Sequence, residues 1–268
     1  MSPCSKVPSR PRKELCSPCR KSRNAARMDD GPATCFQADP IVQAILNKDQ
    51  GYVGLVLVAG WPPQTETNAP YSNFIESVKE CFDPVDLDSD RPAVYLYPLP
   101  FLHVTIATLL PIQTGQEGGT VFESSRQAWI ELVSTTASQH PDWPTSPLQL
   151  EIDAAQIGTK AGVLLWKETT GGLEAMRTCL ANEVPKHGMK IHKIPGIIHS
   201  SFLRFSKVPF TDGATVQERF QSKVLPRLKD IYSRPFVVKD AKLACERTPY
   251  MHIPNDSEHV YLTLPFTK

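Results

Sequence analysis

Two short runs of this sequence set a histidine two positions before a hydroxyl residue: His103 before Thr105, and His199 before Ser201. Imidazole titrates near neutral pH, so one ring can take a proton from a nucleophile while another gives one to a leaving group. A hydroxyl beside each ring can donate to a phosphate oxygen and stabilise charge in the transition state. In a strand, residues i and i+2 share a face. His103 and Thr105 therefore lie side by side with Val104 and Ile106 behind them, and His199 and Ser201 lie side by side with Ile198 and Phe202 behind them. Two such pairs on adjoining strands would form a phosphate clamp that needs no metal. The competing reading is that each histidine is a satisfied core residue. Two matches in similar apolar strands, 96 residues apart, favour the clamp. In a regular strand Arg204 falls on the face opposite His199, which argues against a phosphate contact.

The elements that must position these residues follow from periodicity. Gly54 to Val58 reads as a strand, closed by the turn-like run Gly60 to Pro63. Tyr71 to Phe82 carries Phe74, Ile75, Val78 and Phe82 on one helical stripe. Ala93 to Leu110 is β-rich, Ser124 to Ser138 helical, and Leu148 to Ile157 and Gly162 to Lys167 a strand pair around Gly158 to Ala161. Leu173 to Val184 reads as a helix, Ile197 to Phe205 as a strand, and Val216 to Tyr232 as a helix that Pro226 could kink. Phe236 to Glu246 and His259 to Pro265 end the chain as strands. Alternation that includes strand pairs predicts an α+β fold rather than a doubly wound sheet. Each half supplies one histidine-bearing strand, which suggests a duplicated order.

Residues 1–35 read as a disordered basic leader and 36–268 as one domain. Positions 1–28 hold eight Lys or Arg against one Glu, a net +7, which leaves −6 for the rest of a chain whose total is +1. Prolines and the lack of apolar periodicity deny the leader a core. Its composition suits an organellar transit peptide, a nuclear address or a solvated tail. Cys16 and Cys19 form a single CxxC without a second pair or a nearby histidine, so Cys4 and Cys35 would have to supply the rest of a zinc site. Seven irregularly spaced cysteines and no signal-peptide core point to an intracellular, cytoplasmic or nuclear protein without a disulfide framework. No apolar run approaches the ~20 residues of a membrane span. The acidic body argues against a long RNA footprint. Phosphate-loop, dinucleotide and nucleophile-elbow glycine motifs are missing. Trp61 and Tyr250 are candidates for base stacking, with ordinary packing as the alternative for each. His187, His192, His252 and His259 read as surface or structural.

Two His-x-Ser/Thr-x-apolar motifs about a hundred residues apart resemble the 2H phosphoesterase superfamily, which includes cyclic phosphodiesterases, RNA-trimming exonucleases and nucleotide-binding domains. The resemblance spans roughly residues 50 to 266 in element order, while the motif match is confined to His103 to Ile106 and His199 to Phe202. It implies a bilobal α+β domain, two antiparallel-rich sheets flanking a central groove with helices outside. His103 and His199 inherit catalysis, and Thr105 and Ser201 phosphate binding. His103 is assigned as acid and His199 as base. The implied activity is metal-independent hydrolysis of a 2′,3′-cyclic phosphate on a nucleotide or RNA end, by a monomer without cofactor or metal. The alternatives are a nucleotide-binding module of the same fold, or an interaction protein working through the basic leader.

Overall fold

The computed structural model describes residues 35–47, 52–59, 68–88, 90–228 and 235–266. The leader, the CxxC and Trp61 with its turn lie outside the described residues. The elements run in the order α1 (Pro40–Leu46), β1 (Tyr52–Ala59), α2 (Asn68–Lys79), α3 (Pro84–Leu87), β2 (Val94–Leu96), β3 (Val104–Thr114), α4 (Gly115–Gln139), β4 (Leu148–Ile157), β5 (Ala161–Glu168), α5 (Gly172–Glu183), β6 (His199–Phe205), α6 (Gly213–Arg219), β7 (Phe236–Val238), β8 (Asp240–Glu246) and β9 (Val260–Pro265). They build an α+β fold with two antiparallel sheets, one ordered β3-β1-β8-β9 and the other β2-β6-β5-β4-β7.

The apolar run of β1 suits a central strand. Leu55, Leu57 and Ala59 enter the main core, while Val56 and Val58 pack on Ala244 and Ile253 on the other face. Helix α4 lays Phe122, Trp129, Leu132 and Val133 into that core, and α5 lays in Leu173, Met176 and Leu180, each at helical spacing. Asp39 caps α1, its carboxylate accepting from the Ile41 and Val42 N–H groups at 2.9 and 3.3 Å, and Pro40 occupies the first turn, where no N–H is needed. Among the described residues no helix is long and apolar enough to cross a membrane, and the described cysteines, Cys35, Cys81, Cys179 and Cys245, are free.

Three expected elements are subdivided. The β-rich run from Ala93 supplies β2 to the five-stranded sheet and β3 to the four-stranded one. The run Phe236 to Glu246 supplies β7 to the five-stranded sheet and, after Lys239 alone, β8 to the four-stranded one. Chain crossings between sheets therefore hide inside what reads as continuous strand. The long helix expected from Val216 is α6 followed by a π turn at Phe220–Val224 and a 3-10 turn at Leu225–Arg227. Pro226 lacks the N–H that would continue an α ladder, which accounts for the change of pitch.

Strand β6 carries a bulge. Gly162 pairs with Leu203 and Val163 with Ser201, which leaves Phe202 as the extra residue. Its ring packs edge-on against Phe74 at 5.0 Å and lies parallel to Phe220. Gly162 makes room for it, since a Cβ there would stand 2.6 Å from Phe202 Cζ. Gly162→Ala is expected to cost roughly 1–3 kcal/mol by overpacking, read as a lower urea midpoint. An unchanged midpoint would mean that the ring yields freely.

Candidate active site

His103 immediately precedes β3, and His199 opens β6, so one histidine belongs to each sheet. The expected alternation holds at both. His103, Thr105, His199 and Ser201 are half-buried, while Val104, Ile106, Ser200 and Phe202 are buried behind them and Ile198 is partly buried against the core. The two motifs meet through backbone and side chain together. Ser200 Oγ donates to the His103 carbonyl at 2.8 Å and accepts from Trp166 Nε1 at 2.9 Å.

The ring nitrogens are oriented from the main chain. His103 Nδ1 lies 3.0 Å from the Phe101 carbonyl. A carbonyl can only accept, so Nδ1 carries the proton and the neutral ring keeps its lone pair on Nε2. At His199 the Ile197 carbonyl, also two residues back, lies near enough to favour the charged ring. Burial pushes both imidazoles from 6.5 down to about 4. The Phe101 and Ile197 carbonyls oppose this effect. His199 and Arg204 further depress His103, and Arg204 and Lys193 further depress His199. Both rings are thus neutral at pH 7, within electrostatic reach of one another.

Behind them lies a group that the sequence reading missed. Arg177 on α5 is 5% exposed. Its Nε donates to the Ile106 carbonyl at 3.3 Å, and its Nη2 donates to those of Thr105 at 3.3 Å and Ile197 at 3.1 Å. One guanidinium therefore ties the strand after His103 to the segment before His199. The available signal was an arginine inside the apolar stripe formed by Leu173, Met176 and Leu180, where a charge needs partners.

Arg204 corrects the expectation of a regular strand. The bulge at Phe202 reverses the alternation, so Arg204 shares a face with Ser201 and His199 rather than opposing them. Its Nη2 reaches Ser201 Oγ at 3.4 Å and its Nη1 bonds Asp39. Its Nε is buried with no hydrogen-bond partner among the described residues. His199, Ser201 and Arg204 line a cavity of about 660 Å³. His103 and Thr105 are not among its lining residues.

Tyr250 is 8% exposed, and its ring stacks on Tyr95 at 3.9 Å and 2°. That packing, with Met251, Val42 and Ile45 around it, takes up the ring face that base stacking would need. His252 stacks on Phe101 at 4.3 Å, and His259 pairs with Asp256 at 2.7 Å. The described residues contain no group of three or more His, Cys, Asp or Glu side chains placed to hold a metal ion.

The depressed rings make stability depend on pH. A histidine whose pKa is about 4 folded and 6.5 unfolded gives its full contribution above 6.5 and loses it as pH falls through 4. The slope is about 1.4 kcal/mol per pH unit for each ring. His252, lowered to about 4 by burial, adds to this trend, while Glu246, raised to about 7 by burial, opposes it. Urea midpoints should fall between pH 6.5 and 4, and less steeply in a His103→Asn/His199→Asn protein. Equal slopes in the two proteins would contradict the assignment.

No protein-family model matches the chain, and no curated protein does. Among solved structures the chain is similar to Escherichia coli LigT complexed with 3′-AMP, with 14% identity, 82% of this chain and 100% of that one covered, and a TM-score of 0.44. It is similar to Kluyveromyces marxianus Usb1 with uridine monophosphate, with 10% identity, coverage of 84% and 100%, and a TM-score of 0.44. It is also similar to TT0787 of Thermus thermophilus, with 12% identity, coverage of 80% and 97%, and a TM-score of 0.44.

Proposed function

We propose that this chain is a two-histidine phosphoesterase of the 2H type that hydrolyses a 2′,3′-cyclic phosphate on a nucleotide or RNA end. The observation that carries this reading is the meeting of two His-x-Ser/Thr strands from different sheets, joined by the Ser200 bond to the His103 carbonyl, with the His103 ring tied to a carbonyl two residues back. Each ring then turns its other nitrogen to the substrate. His199 takes a proton from water as the water oxygen bonds to phosphorus. The bond from phosphorus to one ribose oxygen breaks, and His103 gives that oxygen its proton, leaving a phosphomonoester. Thr105 and Ser201 donate to the non-bridging oxygens. Ser201 Oγ already accepts from Arg204 Nη2, so its own proton remains to be donated. The Arg204 guanidinium adds positive charge beside it. Protonation of His103 draws on the bound phosphate, because a nearby anion favours the charged imidazole.

The reaction as written uses no metal. The test is turnover of a panel of 2′,3′-cyclic nucleotides and a cyclic-phosphate-ended RNA in the presence of EDTA. Hydrolysis of at least one member is expected. Turnover that appears only when metal is restored would refute the mechanism, and binding without turnover would reduce the site to a nucleotide-binding module.

A further inference from the structure

The proposed reaction uses the floor of the cavity beside His199, and the walls above it are unused. One wall is the tip of the β4–β5 hairpin with Lys160, and the other is the segment leading into β6 with Lys193. Both lysines are exposed, and neither forms an ion pair with a described residue. Lys79, Lys186, Lys223 and Lys242, by contrast, each pair with an acid. The acid lining the cavity, Asp39, is engaged by Arg204 and by the α1 N–H groups. Two positive charges that no acid among the described residues pairs with therefore line one cavity, in a body whose total is negative.

These two positions are also fixed relative to the reacting groups. The Lys193 N–H donates to the Thr108 carbonyl at 3.0 Å, and its own carbonyl accepts from the Thr108 N–H at 2.8 Å, which pins the segment to β3. The Lys160 carbonyl accepts from the Phe205 N–H at 3.2 Å, at the end of β6. Each ammonium group thus stands on backbone bonded to a histidine strand. Lys193 is near enough for its charge to be felt at His199. At about 660 Å³ the cavity falls within the roughly 300–1,000 Å³ usual for small-molecule sites, so it has room beyond a single phosphate.

We propose that Lys160 and Lys193 form a second anion subsite that holds the phosphate adjoining the scissile one, so that the preferred substrate is the end of an oligonucleotide and not a cyclic mononucleotide. This rests on the phosphoesterase reading above. The experiment compares a dinucleotide ending in a 2′,3′-cyclic phosphate with the matching cyclic mononucleotide, in wild type and in Lys160→Ala/Lys193→Ala. Wild type should favour the dinucleotide at least tenfold in kcat/KM. The double variant should bring that ratio close to one. It should also flatten the salt dependence of dinucleotide binding, by roughly 0.7 in log–log slope for each phosphate it no longer neutralises. A wild-type ratio of one, or a ratio unchanged in the variant, overturns the subsite.

Affinities for the dinucleotide and mononucleotide 3′-phosphates, measured by calorimetry on the same proteins, separate the two readings. If wild type hydrolyses nothing yet binds the dinucleotide more tightly, and the variant loses that preference, the subsite stands and the hydrolytic reading falls. Equal wild-type affinities remove the subsite whatever the turnover.

Discussion

Alanine at His103 or at His199 is expected to lower kcat/KM for a cyclic-phosphate substrate by about 10²–10⁴ each, the usual worth of a positioned acid or base. The two rings act on one proton-transfer sequence, so the double variant should lose little more than the worse single one. The pH profile then assigns the roles. The general acid works only when protonated and sets the alkaline limb; the base works only when neutral and sets the acid limb. With His103 as acid, His103→Ala removes the alkaline limb and His199→Ala the acid one. Opposite losses would exchange the roles, and unaltered limbs in both would remove the rings from the chemistry. Thr105→Val, which keeps shape and deletes the donor, should cost about 10²–10³ if the hydroxyl acts as an anion donor.

The second large effect concerns a residue that touches no substrate. Arg177→Met keeps an apolar stem on α5 but abandons the carbonyls of Thr105, Ile106 and Ile197. Hydrogen bonds to a charged donor contribute roughly 1.5–3 kcal/mol each, and stranded carbonyls cost more. A loss of about 3 kcal/mol or more in unfolding free energy is expected. The Ile197 carbonyl that Arg177 holds stands two residues before His199, so kcat should fall at least tenfold at saturating substrate. Arg177→Lys should recover little, because an ammonium cannot reproduce the planar fork. Lost stability with unchanged kcat would show that the guanidinium holds the fold together without setting the ring.

What could be read from the sequence divides along the same physical line. The pairing of His103 with Thr105 and of His199 with Ser201 is local, because a strand of period two fixes it within three residues, and the burial pattern agrees. The α+β class followed from the same periodicity. Arg204 shows where locality ends. Its facing depends on the bulge at Phe202, and that bulge answers to Gly162 on the neighbouring strand, some forty residues away. Arg177 was obscured for a similar reason: its three acceptors are backbone carbonyls, which every residue carries and no composition reveals. Tyr250 had the right type for stacking, but its partner is Tyr95, set beside it only by the fold.

Neither sheet is made from a continuous stretch of chain. Strands β1 and β3 of the four-stranded sheet enclose β2 of the other, and β4 to β7 intervene before β8 and β9 complete it. No single cut separates one lobe from the other, so the halves of such a gene could not be exchanged or inherited separately as working modules. The two histidines must also mature together. β1 finds its neighbour β8 only once Asp240–Glu246 has been made, so a nascent chain on the ribosome that stops short of it would hold an unfinished four-stranded sheet.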